Sequence, residues 1–257
     1  MKPVRTYGTM KMTQRKTVSR LVLTVAVGFI LGNHHDCLAS NLKIRVLFVG
    51  NSLTFFNDMS TIVEKMGLLA EEKINIETSM IAKGGDSLNS IVKKRMSPFS
   101  KYFKAIETGN WDYVVLQDHS KAPVSGRNQM MKAAETLVEA NQKNNASTLF
   151  FMTWAPKEKP HQIGEISMVY NYLGRSLESK ITPVGLVWDK VIKNSKIDLY
   201  DSDGNHPNKV GSLLTACTIF TTLTKQQCRF PSEDLPEKLS SEEIEYLRNT
   251  VWDVYSS

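Results

Sequence analysis

The chain has 257 residues, of which 41% are hydrophobic, and its formal net charge is +6. This length and apolar content suit one globular domain with a full core. The positive charge is concentrated at the amino terminus, because residues 1–39 hold six basic residues and one acidic residue, which leaves 26 basic and 25 acidic residues in 40–257. We therefore expect no nucleic-acid partner, since the main domain lacks an excess of basic residues.

The amino-terminal segment has the pattern of a secretory signal. A basic stretch precedes an apolar run at 21–31, which is too short to span a bilayer comfortably. Cys37 and Ala39 place small residues at positions −3 and −1 of a cleavage after Ala39. The sequence predicts a signal peptide over 1–39, a single domain over 40–257, export to the periplasm or the medium, and no stable membrane span. A retained anchor or a cytosolic leader is the alternative.

Strand-like apolar runs alternate with amphipathic helix-like segments through the rest of the chain. A strand–helix alternation packs as a parallel sheet with helices on both faces, so we predict an α/β fold, a three-layer α/β/α sandwich with about five parallel strands. The predicted strands are 44–49, 74–81, 113–116, 148–152 and 183–187. The predicted helices are 59–72, 87–107, 128–145 and 162–179, then one whose first turn contains Pro207 and a carboxy-terminal one opened by a capping box at Ser240 and Glu243.

The first predicted strand runs directly into Gly50-Asn51-Ser52-Leu53. Gly50 permits a sharp exit from the strand, and Asn57 or Asp58 is the expected cap of the following helix. Ser52 therefore lies on the turn at the carboxyl edge of the sheet, where ligands bind in open α/β folds. An ordinary turn serine is the alternative interpretation.

Polar residues also follow the next three strands. The adjacent Gly84-Gly85 permits a close approach of backbone to a ligand, although a plain turn fits as well. Gln117 offers an amide donor after the third strand, and His119 is interpreted as a loop residue. Trp154 and His161 flank the exit of the fourth strand, where a pocket lining and a surface loop are equally consistent with the sequence.

A polar loop at 200–207 contains Asp203 and His206. An aspartate three residues before a histidine can orient the imidazole, and turn formation by the aspartate is the alternative. The loop alone is a weak motif, and it supports a catalytic role only together with the other motifs of the chain.

Cleavage after residue 39 leaves two cysteines, Cys217 and Cys228. In an oxidising compartment they can form a disulfide worth about 2–3 kcal/mol. A buried free thiol at Cys217 is the alternative. The sequence has no CxxC and no Cys/His cluster, so we expect no metal site.

Taken together, the motifs resemble the SGNH (GDSL-type) hydrolase superfamily over residues 44–224. The first block is Gly50-Asn51-Ser52-Leu53, the second contains Gly85, and the last is Asp203-Gly204-Asn205-His206-Pro207. The third block departs from the usual Gly-x-Asn-Asp, because Val115-Leu116-Gln117-Asp118 places Gln117 where the family has asparagine. An α/β-hydrolase is a poorer match, since the Ser52 turn lacks the second glycine of Gly-x-Ser-x-Gly.

The resemblance implies a flavodoxin-like sandwich and a serine hydrolase that cleaves carboxylic esters through an acyl-serine intermediate. Ser52 would be the nucleophile, His206 its base, and Asp203 the residue that orients the imidazole. The amides of Ser52 and Gly85 and the side chain of Gln117 would form the oxyanion hole. No metal or organic cofactor is needed for this chemistry.

Export favours a small-molecule or glycan ester outside the cytoplasm as the substrate, for example an acetylated polysaccharide. An acyltransferase that uses the same acyl-enzyme is the first alternative. A non-catalytic carbohydrate-binding domain on the same fold is the second, and the intact Ser52, Asp203 and His206 argue against it. The sequence leaves the oligomeric state open.

Overall fold

The computed structural model describes residues 42–94, 100–236 and 238–257. The predicted signal peptide at 1–39 lies outside these residues. Within them, no helix combines the length and apolar character required to cross a membrane.

Five strands of the described chain form one fully parallel sheet in the order β2-β1-β3-β4-β5. The strands are β1 (Leu42–Gly50), β2 (Ile74–Ala82), β3 (Tyr113–Leu116), β4 (Ser147–Phe151) and β5 (Lys180–Thr182). This is the strand order of flavodoxin-like folds, in which the ligand crevice lies where the order reverses, between β1 and β3. Ser52 follows β1 and Gln117 follows β3, so both come from this point of the sheet.

Ten α-helices lie in the described chain and connect or flank these strands. They are α1 (Ser52–Phe55), α2 (Met59–Leu69), α3 (Leu88–Lys93), α4 (Lys101–Thr108), α5 (Ala122–Ser125), α6 (Arg127–Lys143), α7 (Ile163–Ser176), α8 (Val184–Asn194), α9 (Lys209–Thr224) and α10 (Ser241–Ser256). Short 3₁₀ turns occur at Phe56–Asp58, Pro160–Gln162 and Ser232–Asp234.

Strand β1 shows why helices cover both faces of the sheet. Val46, Leu47, Phe48 and Val49 are each at most 1% exposed. Val46 and Phe48 belong to the core under α2, α8, α9 and α10, whereas Leu47 and Val49 belong to the core under α3, α4, α6 and α7. Successive side chains of a strand point to opposite faces, so a continuous apolar run needs a helical layer on each side. The predicted three-layer α/β/α sandwich is confirmed.

The fifth strand was predicted at 183–187, and this prediction was wrong. Strand β5 is Lys180–Thr182, and Val184 already begins α8. The buried residues Val184, Val187, Trp188 and Val191 recur at helical spacing. A short apolar run does not distinguish a buried strand from the first turn of a buried helix, and here the helical period decides.

The helix predicted at 87–107 is described as two helices, α3 and α4, and the sequence places Pro98 between them. Proline removes a backbone donor and disfavours helix in the residue before it, so the sequence alone gives a reason to expect an interruption near Pro98. The first turn of α9 does not contain Pro207, because Asn208 caps that helix by accepting a hydrogen bond from the Gly211 N–H at 3.0 Å.

Two predicted local contacts are present. Ser240 and Glu243 form the capping box of α10. Cys217 on α9 is linked to Cys228 by a disulfide, with a Cα–Cα distance of 5.4 Å. Of the two alternatives for these cysteines, the structure has the disulfide and not the free thiol. It closes a short loop and stabilises the fold by about 2–3 kcal/mol.

Candidate active site

Ser52 is the first residue of α1 and follows the end of β1 with one residue between. Asn51 caps this helix, because its Oδ1 accepts a hydrogen bond from the Leu53 N–H at 3.1 Å. The Nδ2 of Asn51 donates to the Asp86 carbonyl at 2.9 Å. Asn51 therefore fixes the turn that carries Ser52 and ties it to the loop after β2.

The predicted nucleophile, base and acid are adjacent in space. The Oγ of Ser52 lies 2.8 Å from the Nε2 of His206. The Nδ1 of His206 is hydrogen-bonded to the Oδ2 of Asp203. When Nδ1 carries the proton and donates to the carboxylate, Nε2 is left as an acceptor for the serine hydroxyl.

The carboxylate of Asp203 is held by its own loop. Its Oδ1 accepts hydrogen bonds from the backbone N–H of Asn205 at 2.9 Å and of His206 at 2.8 Å. The hydrogen bond with the His206 side chain, together with these two backbone bonds, lowers the pKa of Asp203 to about 2. Asp203 is consequently ionised at neutral pH, as is required to orient and stabilise an imidazolium.

Further contacts hold the loop of His206 in place. The ring of Phe56 stacks on the imidazole, with centroids 4.3 Å apart and planes 14° apart. The Nδ2 of Asn57 donates to the Pro207 carbonyl at 3.1 Å and to the Ser212 hydroxyl at 2.9 Å. These contacts connect the segment after Ser52 directly to the segment of its base.

Asn57 or Asp58 was expected to cap α2, and Asp58 is the N-cap residue of this helix. Asp58 occupies the cap position without a side-chain hydrogen bond, and the amide of Asn57 bonds the His206 loop instead. Both residues have a φ of 52°, which is a strained conformation for a residue with a side chain. Such strain persists only where the surroundings enforce it, and here it accompanies the contacts to the His206 loop.

Two backbone N–H groups are available for an oxyanion. Ser52 N–H has no intrahelical acceptor because it begins α1, and Gly85 N–H lies in the turn after β2. Neither has a hydrogen-bond acceptor within the described parts of the chain. Gly85 has a φ of +72°, a conformation that explains the glycine at this position.

Gln117 does not reach the cleft, contrary to the role that the family resemblance implied. It is 1% exposed, and its Oε1 accepts hydrogen bonds from the Asn51 N–H at 2.9 Å and the Thr54 hydroxyl at 2.8 Å. Its Nε2 donates to the carbonyl of Asp118. The carbonyl oxygen of the Gln117 amide therefore holds the turn that carries Ser52, and its nitrogen bonds the backbone after β3.

The packing of Gln117 also explains Gly50. A Cβ on Gly50 would collide with the Oε1 of Gln117 and the Oγ1 of Thr54. A residue with a Cβ therefore does not fit at the end of β1 without moving this amide. Gly50 was expected to permit a sharp exit from the strand, whereas the constraint in the structure is its close approach to Gln117.

Replacing Gln117 by alanine is expected to act mainly on stability. The change leaves two buried donors, the N–H of Asn51 and the hydroxyl of Thr54, without their acceptor. Each such loss costs about 1–3 kcal/mol, so we expect Gln117→Ala to lower the free energy of unfolding by about 2–4 kcal/mol in denaturant titrations. Thr54→Val removes only one of the two hydrogen bonds and should cost about 1 kcal/mol. A Gln117→Ala variant with unchanged stability and a hundredfold lower kcat would restore the oxyanion role.

The side chains of Ser52, Asp203 and His206 line a cleft of about 590 Å³. Besides Ser52, Gly85 and His206, its lining includes His119, Lys121 and charged residues of the loop after β4, namely Glu158 and Lys159. The Nδ1 of His119 accepts a hydrogen bond from the Lys121 N–H at 3.2 Å, which leaves its Nε2 to carry the proton of a neutral ring.

His119 was expected to be an ordinary loop residue, and it lines the cleft. Its position directly after the polar end of β3 was the signal for a location at the carboxyl edge of the sheet. Trp154 is 2% exposed and donates from its Nε1 to the Asn205 carbonyl at 2.9 Å, so it supports the His206 loop from inside. His161 is exposed and is not among the residues that line the cleft.

The described residues contain no group of three or more histidine, cysteine, aspartate or glutamate side chains arranged to hold a metal ion. Serine, imidazole and carboxylate in this geometry form a nucleophile with its own base. The arrangement is sufficient for acyl transfer by side-chain chemistry alone.

No protein-family model and no curated protein matches the sequence. Among solved structures, a candidate SGNH hydrolase from Slackia heliotrinireducens is similar with a TM-score of 0.61 and 22% identity, covering 70% of this chain and 99% of that chain. TesA is similar with a TM-score of 0.55 and 16% identity, covering 70% and 98%.

Axe2, an acetylxylan esterase from Geobacillus stearothermophilus, is similar with a TM-score of 0.57 and 11% identity, covering 70% of this chain and 94% of that chain. At these identities the likeness concerns the fold. The chain has the fold of these proteins, SGNH hydrolases and esterases among them.

Proposed function

We propose that this protein is a serine esterase that cleaves carboxylic esters through an acyl-serine intermediate. The observation that carries the proposal is the contact of 2.8 Å between the Oγ of Ser52 and the Nε2 of His206, whose Nδ1 is bonded to Asp203. These three side chains come from two distant segments of the chain and meet at the mouth of a cleft. A turn serine without a catalytic role does not require such a partner.

In the first half of the reaction, the Ser52 oxygen attacks the ester carbonyl carbon while its proton passes to the Nε2 of His206. The N–H groups of Ser52 and Gly85 meet the negative oxygen of the tetrahedral intermediate. Collapse of that intermediate breaks the ester C–O bond, and the imidazolium of His206 gives its proton to the departing alcohol oxygen.

In the second half, water attacks the acyl-serine carbonyl and His206 takes its proton. The second tetrahedral intermediate releases the carboxylic acid, and the proton returns to the Ser52 oxygen. Asp203 stabilises the imidazolium in both halves without taking the proton. Apart from the ester and water, these reaction steps use only the side chains and amides of the described site.

The proposed substrate is an ester outside the cytoplasm, on a glycan or a small molecule. Two considerations support a glycan ester: a chain with this fold, Axe2, is an acetylxylan esterase, and the sequence at 1–39 has the pattern of an export signal. An acyltransferase would form the same acyl-serine and pass the acyl group to a sugar hydroxyl in place of water.

Purified protein is expected to hydrolyse p-nitrophenyl acetate and to release acetate from an acetylated oligosaccharide. Adding a non-acetylated oligosaccharide to the same reaction distinguishes the two enzyme classes, because a transferase would yield acetylated acceptor detectable by mass spectrometry. Absence of both hydrolysis and transfer would contradict the enzymatic proposal and favour a binding domain.

Export is a separate proposal with its own test. We expect the mature protein to begin near Ser40, because Ala39 satisfies the small-residue rule after an apolar core. Amino-terminal sequencing of the protein from its native host measures this directly. A sequence beginning at Met1, or at any residue before Leu21, would contradict cleavage and export by this signal.

A further inference from the structure

A second cavity of about 270 Å³ adjoins the catalytic cleft. The two cavities share His119 and Lys121, which line both of them. Beyond these shared residues, the second cavity is lined by side chains of α3, α5 and α6, including Asn89, Ser125 and Gln129. The surface next to Ser52 is therefore a groove that continues past His119 and does not end at the catalytic cleft.

Two walls of the second cavity, the start of α3 and the His119 loop, are joined by Asp118. Asp118 is 1% exposed, and its Oδ1 accepts hydrogen bonds from the Leu88 N–H of α3 at 3.0 Å and from the His119 N–H at 2.6 Å. Because one buried carboxylate joins the start of α3 to the His119 loop, the opening between them is preorganised. Binding in such a cavity does not incur the cost of ordering its walls.

The carboxamides of this cavity are suited to a hydroxyl-rich ligand. The side-chain amides of Asn89 and Gln129 have no hydrogen-bond partner within the described residues, and neither does the ammonium of Lys121. A carboxamide offers two donors and one acceptor oxygen, and a sugar hydroxyl both donates and accepts. Carboxamides next to an imidazole therefore match a sugar better than they match a lipid chain, which would leave them unpaired.

We propose that this second cavity, the distal subsite, binds the neighbouring sugar residue of an oligomeric glycan whose acylated sugar lies at Ser52. The proposal rests on the proposed esterase function and adds the substrate class: an ester on an oligosaccharide or polysaccharide. A small ester such as p-nitrophenyl acetate fills only the catalytic cleft and does not reach Asn89 or Gln129.

The test compares substrates of different length on the full chain as purified. The probes are p-nitrophenyl acetate and chemically acetylated xylose, glucose and N-acetylglucosamine, each sugar as the monosaccharide and as the β-1,4-linked trisaccharide. We expect kcat/KM to be at least tenfold higher for one of the trisaccharides than for its monosaccharide. In an Asn89→Ala/Gln129→Ala double variant this gain should disappear, while activity on p-nitrophenyl acetate stays within about twofold.

Gln142→Ala is the matched control, because Gln142 is an exposed glutamine on the same helix as Gln129 and lies outside both cavities. Gln142→Ala should leave kcat/KM for both substrate classes unchanged, and the thermal unfolding midpoints of all variants should agree. The distal subsite is overturned if no trisaccharide is preferred, or if the double variant loses activity equally on p-nitrophenyl acetate. Failure of the proposed function would differ, since wild-type protein would then show no Ser52-dependent hydrolysis of p-nitrophenyl acetate.

Discussion

Replacing Ser52 by alanine is expected to lower kcat for ester hydrolysis by about 10⁴-fold or more. The change removes the oxygen that, among the described residues, is hydrogen-bonded to the His206 Nε2, at 2.8 Å. The fold should be retained, because no core contact depends on this hydroxyl. Steady-state kinetics with p-nitrophenyl acetate, together with the thermal unfolding midpoint, measure both effects on one variant.

Ser120→Ala is a suitable control for this variant. Ser120 also lines the cleft but has no hydrogen bond to an imidazole among the described residues, so its loss should change kcat by less than about fivefold. Because nucleophile and base act as one unit, the Ser52→Ala/His206→Ala double variant should be hardly slower than Ser52→Ala alone. Near wild-type activity of Ser52→Ala would exclude the acyl-serine mechanism.

Asp203→Asn is expected to lower kcat by about 10⁴-fold, with little change in KM. The amide of asparagine would donate to the Nδ1 of His206, which forces the proton of the neutral ring onto Nε2. That nitrogen then no longer accepts the proton of Ser52. Asp201 is an exposed aspartate of the same loop whose Oδ1 accepts a hydrogen bond from the Ser202 N–H and from no other group of the described residues. Asp201→Asn should keep activity within a few-fold of wild type.

The lowered pKa of Asp203 adds a pH signature. A carboxyl group whose pKa is about 2 when folded, against an ordinary value of 3.8, contributes stability above pH 4 and loses that contribution as the pH falls toward 2. Asp203→Asn lacks the contribution at every pH. The thermal unfolding midpoint of the wild type should therefore fall more steeply between pH 4 and pH 2 than the midpoint of Asp203→Asn. Midpoints that fall in parallel for the two proteins would contradict a carboxylate that is ionised at pH 4.

Much of the fold could be predicted from the sequence because its sheet is buried on both faces. Continuous apolar runs such as Val46 to Val49 are a strong signal for a parallel sheet, and the glycine and serine that follow mark its carboxyl edge. The prediction of the fifth strand was wrong although it used the same signal, a continuous apolar run, that predicted the other strands correctly. Val184 and Val187 belong to an apolar run as well, and tertiary packing makes that run a helix.

The sequence predicted which residues meet at the candidate site, but it did not predict the direction of every side chain. Ser52, Asp203 and His206 meet as the motif order suggested. Ser52 follows the end of β1, and the loop between α8 and α9 brings Asp203 and His206 to the same edge of the sheet. Gln117 arrives at the same edge, yet the added methylene and the space beside Gly50 let its amide turn inward to Asn51. The position of a residue after a strand places it at the carboxyl edge of the sheet. The direction of a flexible side chain there depends on the donors and acceptors around it.

The roles of Phe56 and Asn57 were beyond sequence reasoning. Their contacts to His206 and Pro207 join residues about 150 positions apart, and Asn57 has a left-handed backbone conformation. The local sequence Phe56-Asn57-Asp58 contains no pattern that predicts such a contact. The distal subsite is likewise a product of assembly, because α3, α5 and α6 meet there only in the folded chain.

The central claim, that Ser52 is the nucleophile activated by His206, is tested most directly by covalent labelling. A fluorophosphonate reacts with a serine only when a nearby base removes its proton. We predict that one equivalent of the reagent abolishes hydrolysis of p-nitrophenyl acetate and that peptide mass spectrometry finds the adduct on Ser52, with no labelling in His206→Ala. An adduct on another serine that accounts for the lost activity, or full activity with Ser52 modified, would contradict the claim.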